Sequence, residues 1–542
     1  METPDEKRDG CLMSTEKSEH DIVGEASRRR TFAIISHPDA GKTTLTEKFL
    51  LYAGAVQEAG AVKARSDRRR ATSDWMDMEQ QRGISITSTV LQFAYRNHVI
   101  NLLDTPGHRD FSEDTFRVLA AADAVIMVLD AAKGIEPQTL KLFEVCRSRQ
   151  LPIITFINKF DRPGLDALDL IDEIESKINL RCTPATWPVG IAGDFRGVIE
   201  RSTGRFIRFS RSARGAKMAE EQIVDPAVAR VEEGPVWTAA LEGSGLMTEI
   251  GSDVDQKSFL AGETTPTFFG SAITNFGIRQ LLDAVVDLAP SPTARDDVNG
   301  TFRPLESPFS AFAFKVQANM NPNHRDRVAF VRVQSGCFER GMTVTLGRTG
   351  KPFTTKYAAT VFGQDRDTVE LAFPGDIVAL VNATDVNIGD SLYVDQSVVY
   401  PPIPTFAPEL FASVRPRDVS KQKQFKKGLE QLGEEGVVQV MHREGDPTPV
   451  LGAVGQMQFE VFSHRLANEF NSPVEFGATR ERLARLTDRE TADKMRGTPG
   501  LEVLIGSKGK LLALFESPRW LDRLVEQHPD WVLDSIRTGL MD

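Results

Sequence analysis

Residues 36–43 read Ser-His-Pro-Asp-Ala-Gly-Lys-Thr and lie between an apolar run, residues 32–35, and a helix-like pattern, residues 44–51. A loop of small residues between a strand and a helix lets several backbone N–H groups point at phosphate oxygens. Lys42 would place a positive charge on the β- and γ-phosphates, and Thr43 would offer a hydroxyl to Mg²⁺. Ser36 stands where the usual pattern has glycine, but a small residue fits there. The predicted contacts of this loop are Ser36, His37, Pro38, Asp39, Ala40, Gly41, Lys42, Thr43 and Thr44.

A second motif, Asp104-Thr-Pro-Gly107, follows an apolar stretch that we predict to be a neighbouring strand. Asp104 can hold Mg²⁺ through a water molecule, and Gly107 lets its N–H approach the γ-phosphate. Such a turn is common by itself, but this one comes at the carboxyl end of a strand, where α/β sheets bind ligands. His108 follows directly. We predict that its imidazole orients or stabilises an attacking water, with Lys42 and Gly107 as the other catalytic contacts.

A third motif, Asn158-Lys-Phe-Asp161, also follows an apolar stretch. The carboxylate of Asp161 can accept hydrogen bonds from the N1–H and 2-amino groups of guanine, a donor pair that adenine lacks. Lys159 can lie across the plane of the base, and Asn158 can tie its loop to the phosphate loop. Ser271 and Ala272 add a backbone contact to the guanine oxygen. Together these motifs predict a protein that binds GTP and GDP and hydrolyses GTP.

The elements that must position these residues alternate between apolar strands and amphipathic helices from Thr31 to about Pro292. This alternation predicts a multidomain α/β protein whose first domain is a doubly wound phosphate-loop domain with a mostly parallel sheet. The stretch from about 189 to 262 fits the alternation poorly, and we interpret it as an insertion or an appended lobe before the final strand. The predicted strands are 32–36, 98–104, 124–129, 152–158 and 267–270, and the predicted helices are 43–52, 110–122, 137–149, 167–178 and 278–288.

Two proline-containing breaks, at residues 288–293 and 400–404, divide the chain. Between them, short β-rich runs separated by Gly, Asn and Asp turns predict a small antiparallel β-barrel. After the second break, the order of strands and helices predicts an α+β (split βαβ) sandwich. We interpret the arginines at 28–30 as a solvated charge run. The predicted units are a mobile tail, 1–28, a GTP-binding domain, 29–292, the barrel, 300–400, and the α+β domain, 401–542.

The composition limits the classes of function. The chain has 542 residues, of which 41% are hydrophobic and 26% charged, which is enough for three or four domains with their own cores. The net charge of −11 argues against a diffuse basic surface for nucleic acid and leaves local basic patches open, and we expect no DNA partner. No apolar run is long enough to span a membrane, and the first 30 residues lack the apolar centre of a secretory signal. We therefore expect a cytoplasmic protein, and we expect a monomer.

The motifs resemble those of the ribosomal (translational) GTPases. The resemblance rests on residues 37–44, on the segment Asp74-Trp-Met to Gln81-Arg-Gly-Ile-Ser-Ile86, and on the motifs at 104–108 and 158–161. Elongation factor G is a near relative, but it is longer by two further C-terminal domains. Within this group, the bacterial class II peptide chain release factors are the most similar. That similarity adds residues 36–42, 314–327 and 452–459, and it covers the chain from Thr31 onward.

The resemblance implies roles for individual residues. His108 matches the catalytic histidine of the family, and Pro38 and Ile84 match an apolar gate that flanks it. Ser85 takes the place of the threonine with which most relatives sense the γ-phosphate and the metal, so the hydroxyl is kept and a methyl group is lost. The implied contacts to phosphate and Mg²⁺ are Lys42, Thr43, Ser85 and Asp104.

The resemblance also implies a function. The GTP form would drive a conformational change on the ribosome, through contacts with ribosomal RNA and proteins, and would expel a class I release factor after the finished peptide is hydrolysed. Two alternatives stay open at this stage. One is a ribosomal GTPase of another step, such as translocation or ribosome protection, and the other is a nucleotide-binding scaffold that does not hydrolyse GTP. A basic cluster at residues 63–70 is compatible with an RNA contact or with a solvated arm.

Overall fold

The computed structural model describes residues 21–54, 85–210, 218–318, 327–362, 365–403, 406–506 and 509–536. The first domain is built on a central sheet covered by helices. Its strands are β1 (Arg29–Ser36), β2 (Thr89–Tyr95), β3 (His98–Asp104), β4 (Ala124–Asp130), β5 (Ile153–Asn158), β6 (Arg181–Pro184), β7 (Thr186–Ile191), β8 (Asp194–Glu200), β9 (Arg205–Ser210), β10 (Glu220–Val224) and β11 (Thr264–Phe269). Its described helices are α1 (Ile22–Ser27), α2 (Lys42–Tyr52), α3 (Ser112–Leu119), α4 (Pro137–Ser148), α5 (Ala167–Ile178), α6 (Pro226–Glu232), α7 (Pro235–Glu249), α8 (Gln256–Leu260) and α9 (Ile278–Leu288).

The central sheet has the order β2-β3-β1-β4-β5-β11-β6. Only β2 runs antiparallel to its neighbour, and the other pairs are parallel. Along β1, Phe32 and Ile34 pack against α2 and α9, whereas Ala33 and Ile35 pack into the core shared with α3, α4 and α5. Burial on both faces explains the continuous apolar run in the sequence. The predicted doubly wound domain is confirmed, and its motifs lie at the carboxyl ends of the strands.

Most predicted elements agree with the structure to within three residues. The predicted helix over 110–122 is instead a 3₁₀ turn, Arg109–Phe111, followed by the shorter helix α3. The last strand of the sheet begins at Thr264 and ends at Phe269, before Gly270. The predicted insertion contains the antiparallel sheet β10-β9-β8-β7 and the helices α6, α7 and α8.

The second domain is an antiparallel barrel, as predicted. Its strands are β12 (Arg295–Asp296), β13 (Phe302–Arg303), β14 (Ser310–Ala318), β15 (Arg327–Ser335), β16 (Phe338–Glu339), β17 (Thr343–Leu346), β18 (Pro352–Thr354), β19 (Ala358–Phe362), β20 (Asp365–Thr368), β21 (Leu371–Ala372), β22 (Ile377–Val381) and β23 (Ser391–Tyr393). The main sheet has the order β18-β17-β23-β14-β15-β22-β19, and β19 pairs in turn with β2 of the first domain. Two short ribbons, β12 with β13 and β16 with β21, accompany it.

The third domain is an α+β unit with a seven-stranded sheet. Its strands are β24 (Leu410–Pro416), β25 (Gln439–Arg443), β26 (Asp446–Ala453), β27 (Val474–Ala478), β28 (Leu483–Thr487), β29 (Leu501–Ile505) and β30 (Leu511–Phe515). They pair in the order β27-β24-β26-β25-β29-β30-β28. Its helices are α10 (Gln422–Glu434), α11 (Gln456–Glu469), α12 (Arg489–Met495) and α13 (Pro518–Gln527). No helix in the described part of the chain is long and apolar enough to cross a membrane.

The N-terminal segment corrects two predictions. Residues 21–28 were assigned above to a mobile tail, but they belong to the folded domain. They form the helix α1, and the side chain of Asp21 caps its N-terminus. Residues 1–20 lie outside the described part. The arginines are not a solvated run either. Arg29 is buried and its Nε lies 2.7 Å from Asp376 Oδ2 of the barrel, while Arg30 donates to the carbonyl oxygen of Val286.

Buried charges hold the barrel against the first domain. We call the contacts of Arg29 with Asp376 and of Arg332 with Asp123 the barrel joint. Arg332 is almost fully buried on β15, and it donates to both carboxylate oxygens of Asp123 at 2.6–2.7 Å and to the carbonyl oxygen of Ala121 at 2.7 Å. Buried ion pairs of this geometry fix the orientation of the elements that carry them.

Candidate nucleotide-binding site

The loop between β1 and α2 has the backbone geometry of a phosphate cradle. Asp39 and Gly41 both have positive φ angles, 66° and 99°. A Cβ atom on Gly41 would lie 2.3 Å from the amide nitrogen of Asn158, so only glycine fits there. Helix α2 begins at Lys42 directly after this turn, and its first N–H groups therefore face the loop.

Below the loop, four side chains meet. Lys42 Nζ lies 2.6 Å from Asp104 Oδ1 and 3.3 Å from Ser85 Oγ. The hydroxyl oxygens of Thr43 and Ser85 are 3.2 Å apart. Lys42, Asp104 and Ser85 are buried, and the start of α2, the end of β3 and the segment before β2 bring them together. A carboxylate and two hydroxyls form an oxygen-rich group of the kind that Mg²⁺ binds.

Two buried carboxylate oxygens at the site lack a hydrogen-bond partner among the described residues. They are Asp104 Oδ2 and Asp161 Oδ1. A buried acceptor without a donor is costly, so such atoms mark places where a ligand supplies the missing contact. Asp104 Oδ2 fits a metal or its bound water, and Asp161 Oδ1 fits a donor on a base.

Hydrogen bonds between loops hold the third motif. Asn158 donates from Nδ2 to the carbonyl oxygen of Ala40 at 2.7 Å, and its Oδ1 accepts from the N–H of Ala272 at 2.8 Å. Lys159 has a φ of 63°, and its Nζ contacts Asp130 Oδ2 at 2.8 Å and the carbonyl oxygen of Asp39. One amide side chain thus connects the phosphate loop with the segment after β11.

The ionisation of two groups near the loop is perturbed. Burial lowers the pKa of His37, although Glu136, whose Oε2 is 2.6 Å from His37 Nδ1, opposes this shift. Burial alone would raise the pKa of Asp130, but hydrogen bonds from Lys159 and from the N–H of Ala132 bring it below its ordinary value. Asp130 is therefore an anion that holds Lys159 in place.

His108 lies at the mouth of the site. Its Nδ1 accepts from the N–H of Asp110 at 3.2 Å, and its side chain is 29% exposed. Gly107 lies next to Pro38, and an added Cβ on Gly107 would be in ordinary van der Waals contact with Pro38 Cα, at 3.7 Å. Ile84, the other half of the expected gate, lies outside the described residues, as do residues 63–70.

A cavity of about 300 Å³ connects these groups. Four predicted contacts are not among its described lining residues: Ala40, Asp104, Asp161 and Ser271. The sequence did not single out Arg162 and Ile273, which do line it. Arg162 directly follows the third motif, and Ile273 directly follows Ala272. Their positions next to predicted site residues could have identified them. The predicted residues in the lining are Ser36, His37, Pro38, Asp39, Gly41, Lys42, Thr43, Thr44, Ser85, Gly107, His108, Asn158, Lys159 and Ala272.

Three family descriptions match the chain in succession. "Elongation factor Tu GTP binding domain" matches residues 27–291, "Elongation factor G domain 2" matches 308–395, and "Class II release factor RF3, C-terminal domain" matches 400–525. A solved structure from Thermus thermophilus has the same fold over 85% of this chain and 69% of its own, with a TM-score of 0.68 and 23% identity.

Similar curated proteins carry one name. The peptide chain release factor 3 of Microcystis aeruginosa is 48% identical over 97% of this chain and 98% of its own length. That of a Synechocystis strain is 52% identical over 84% of each chain. With a guanine-nucleotide-binding domain of known type in front of the release-factor domain, the chain is a ribosome-stimulated GTPase. It belongs to the peptide chain release factor 3 family of translation-termination GTPases.

Proposed function

We propose that this chain uses GTP on the ribosome to release class I peptide chain release factors after the finished peptide has been cut from its tRNA. The observation that carries the proposal is the release-factor C-terminal domain at residues 400–525, which packs against the turn that holds His108. A change at the γ-phosphate can therefore reach a domain that is specific to this family. We further propose that the protein acts as a monomer in the cytoplasm and that its domain boundaries lie near residues 292 and 400.

The phosphate end of the site has three tasks in this proposal. Lys42 holds the β- and γ-phosphates, and the N–H groups of residues 39–44 surround them. Thr43, Ser85 and Asp104 would hold Mg²⁺, which neutralises charge on the phosphate oxygens when bound. Lys42 now pairs with Asp104, so we expect its ammonium group to exchange part of this contact for phosphate when nucleotide binds.

The base end selects guanine. Asp161 accepts from N1–H and the 2-amino group, and Lys159 lies over the base while Asp130 and Asp39 hold its ammonium group. The backbone of Ser271 and Ala272 contacts the guanine oxygen. Adenine would leave the buried Asp161 carboxylate without a donor, and this lost contact discriminates against it.

Hydrolysis needs a water aligned with the γ-phosphorus. The water oxygen attacks phosphorus, the bond to the bridging oxygen breaks, and GDP leaves with both electrons of that bond, while a proton of the water passes to a phosphate oxygen and inorganic phosphate forms. We propose that the imidazole of His108 orients this water and that the N–H of Gly107 contacts the γ-phosphate. In this structure, Asp110 holds the Nδ1 side of the ring, so the ring must turn further into the site on the ribosome.

The experiment that tests the proposed function measures how fast a labelled class I release factor leaves terminated ribosomes. The protein is added with GTP, with a non-hydrolysable GTP analogue or with GDP. We expect rapid departure with GTP, and slow departure with GDP. Equal rates with GTP and without the protein would contradict the proposal and would favour a ribosomal GTPase of another step.

A further inference from the structure

Helix α11 of the third domain has no side chain at its N-cap position, although Gln458 in its first turn accepts from the backbone N–H groups of Val454 and Gly455 just before the helix. The position before the helix is Gly455, whereas a helix N-cap usually supplies a side-chain oxygen to the N–H groups of the first turn. The N–H of Met457 donates instead to Oδ2 of Asp110, at 2.9 Å. Asp110 belongs to the 3₁₀ turn of the GTP-binding domain. One domain therefore caps a helix of another.

The absence of a side chain at Gly455 is what makes room for this contact. A Cβ atom at Gly455 would lie 1.9 Å from the carboxylate carbon of Asp110. The backbone of Gly455 is extended, with φ −150° and ψ 165°, a conformation that alanine adopts without strain. Alanine at this position would therefore disturb the contact with Asp110 and leave the local backbone conformation unchanged.

The same carboxylate faces His108. Asp110 Oδ1 lies 3.4 Å from His108 Nδ1, and the N–H of Asp110 donates to that nitrogen. Next to it, Phe111 lies edge-on to the imidazole and packs with Ile86 and with Val461 of α11. The imidazole and the start of α11 are thus attached to one short turn, and a shift of the helix must move that turn or break its contacts.

We infer that the third domain restrains His108 through Asp110, which acts as a positioning residue. With α11 docked, the N–H of Met457 and the helix dipole stabilise the Asp110 carboxylate, and the turn keeps the Nδ1 side of the ring engaged. Undocking of α11 frees the turn and lets the imidazole reach the γ-phosphate. This inference rests on the proposed catalytic role of His108, and it adds a domain contact that keeps hydrolysis slow away from the ribosome.

Gly455→Ala tests the restraint in the full-length protein. We expect ribosome-free, single-turnover GTP hydrolysis to rise roughly tenfold, the scale of one lost charge-assisted hydrogen bond, with GTP and GDP affinities unchanged. Gly245→Ala is the matched control, because the same substitution on α7 meets open space. Equal ribosome-free rates for the two variants would overturn the restraint. Unchanged nucleotide affinity shows that the GTP-binding domain is folded, and an unchanged circular dichroism spectrum shows that the third domain keeps its helices.

A double-mutant cycle tests the path. Asp110→Ala should raise the ribosome-free rate at least as much as Gly455→Ala does, and the double variant should rise no further than Asp110→Ala alone, because both substitutions remove the contact between Met457 and Asp110. Additive increases would overturn the shared path. Adding His108→Ala to Gly455→Ala should abolish the rise, and a rise that persists would show that the contact does not act through the imidazole. His108→Ala alone on ribosomes tests the catalytic role separately, so the two failures are distinguishable.

Discussion

The two joints that attach the later domains to the GTP-binding domain are built differently. In the barrel joint, Arg29 and Arg332 are buried and pair with carboxylates at 2.6–2.7 Å. The third domain is held by hydrogen bonds between side chains and backbone, from Met457 to Asp110 and from Arg117 to the carbonyl oxygen of Glu435, and by a small apolar cluster around Phe111. Toward the barrel, the side chain of Glu435 accepts from the N–H of Ala318, and the half-exposed Glu434 pairs with Arg327. We call these contacts the C-terminal joint.

The comparison shows which domain can separate from the GTP-binding domain at the smaller cost in free energy. Separating the barrel joint would leave unpaired buried charges, which is strongly unfavourable. The groups of the C-terminal joint can exchange their hydrogen bonds for water at a smaller cost. This weaker joint is also the one that touches the turn beside His108. The barrel joint thus holds its domain firmly against the central sheet, whereas the C-terminal joint, which lies next to His108, can be released.

Breaking the barrel joint should have the largest effect on stability. Arg332→Ala removes the arginine that donates to both oxygens of the buried Asp123 carboxylate, and we expect a loss of about 3–5 kcal/mol in the free energy of unfolding. Urea titration followed by circular dichroism measures it. Arg340→Ala, which removes an exposed pair with Glu370, is the control and should change little. If both variants unfold at the same urea concentration, the barrel joint is not the firm support described here.

Changing the base contact should affect binding and leave both joints intact. Asp161→Asn replaces one acceptor by a donor, so GTP affinity should fall by about 2–3 kcal/mol and xanthine nucleotides should gain. Titration with fluorescent GTP, GDP and xanthosine triphosphate gives the affinities. Asp166→Asn changes a nearby carboxylate that caps α5 and should leave base preference unaltered. Parental GTP affinity for Asp161→Asn would show that another group selects the base.

Weakening the C-terminal joint should have the smallest effect. Glu435 lies where three domains meet, since its carbonyl oxygen accepts from Arg117, its Oε1 accepts from the N–H of Ala318 and its Oε2 pairs with Arg465 at 2.6 Å. Glu435→Gln keeps the shape, and Arg465 retains Glu469 as a partner. We expect about 1 kcal/mol of destabilisation, with unchanged GTP affinity. A loss as large as that of Arg332→Ala would remove the distinction between the two joints.

The sequence was sufficient for the parts of the molecule that depend on local pattern. Apolar runs followed by Gly, Asp or Asn placed β1, β3, β4 and β5 and the three motifs at their ends, because a buried strand and a tight turn each demand particular residue types. The hydrogen bond of Asn158 to the phosphate loop was expected from its position, and the structure confirms the contact.

The sequence was not sufficient for contacts between distant segments. Arg29 looked like part of a solvated run because its partner, Asp376, is 347 residues away. Asp110 was missed as an interdomain contact for the same reason, because no local sequence pattern connects it with Gly455. The third domain was recognised, but the strands and helices beyond residue 470 were not placed. The roles of Ser85, His108 and the other site residues stay predictions.

The most direct test of the account is single-turnover GTP cleavage by His108→Ala on ribosomes. We expect cleavage to slow by about 10²-fold or more, the usual effect of removing a positioned catalytic group, while GTP and GDP affinities stay near those of the parent. His98→Ala, at the start of β3, is the matched control and should cleave at the parental rate. If His108→Ala also cleaves at the parental rate, His108 takes no part in hydrolysis.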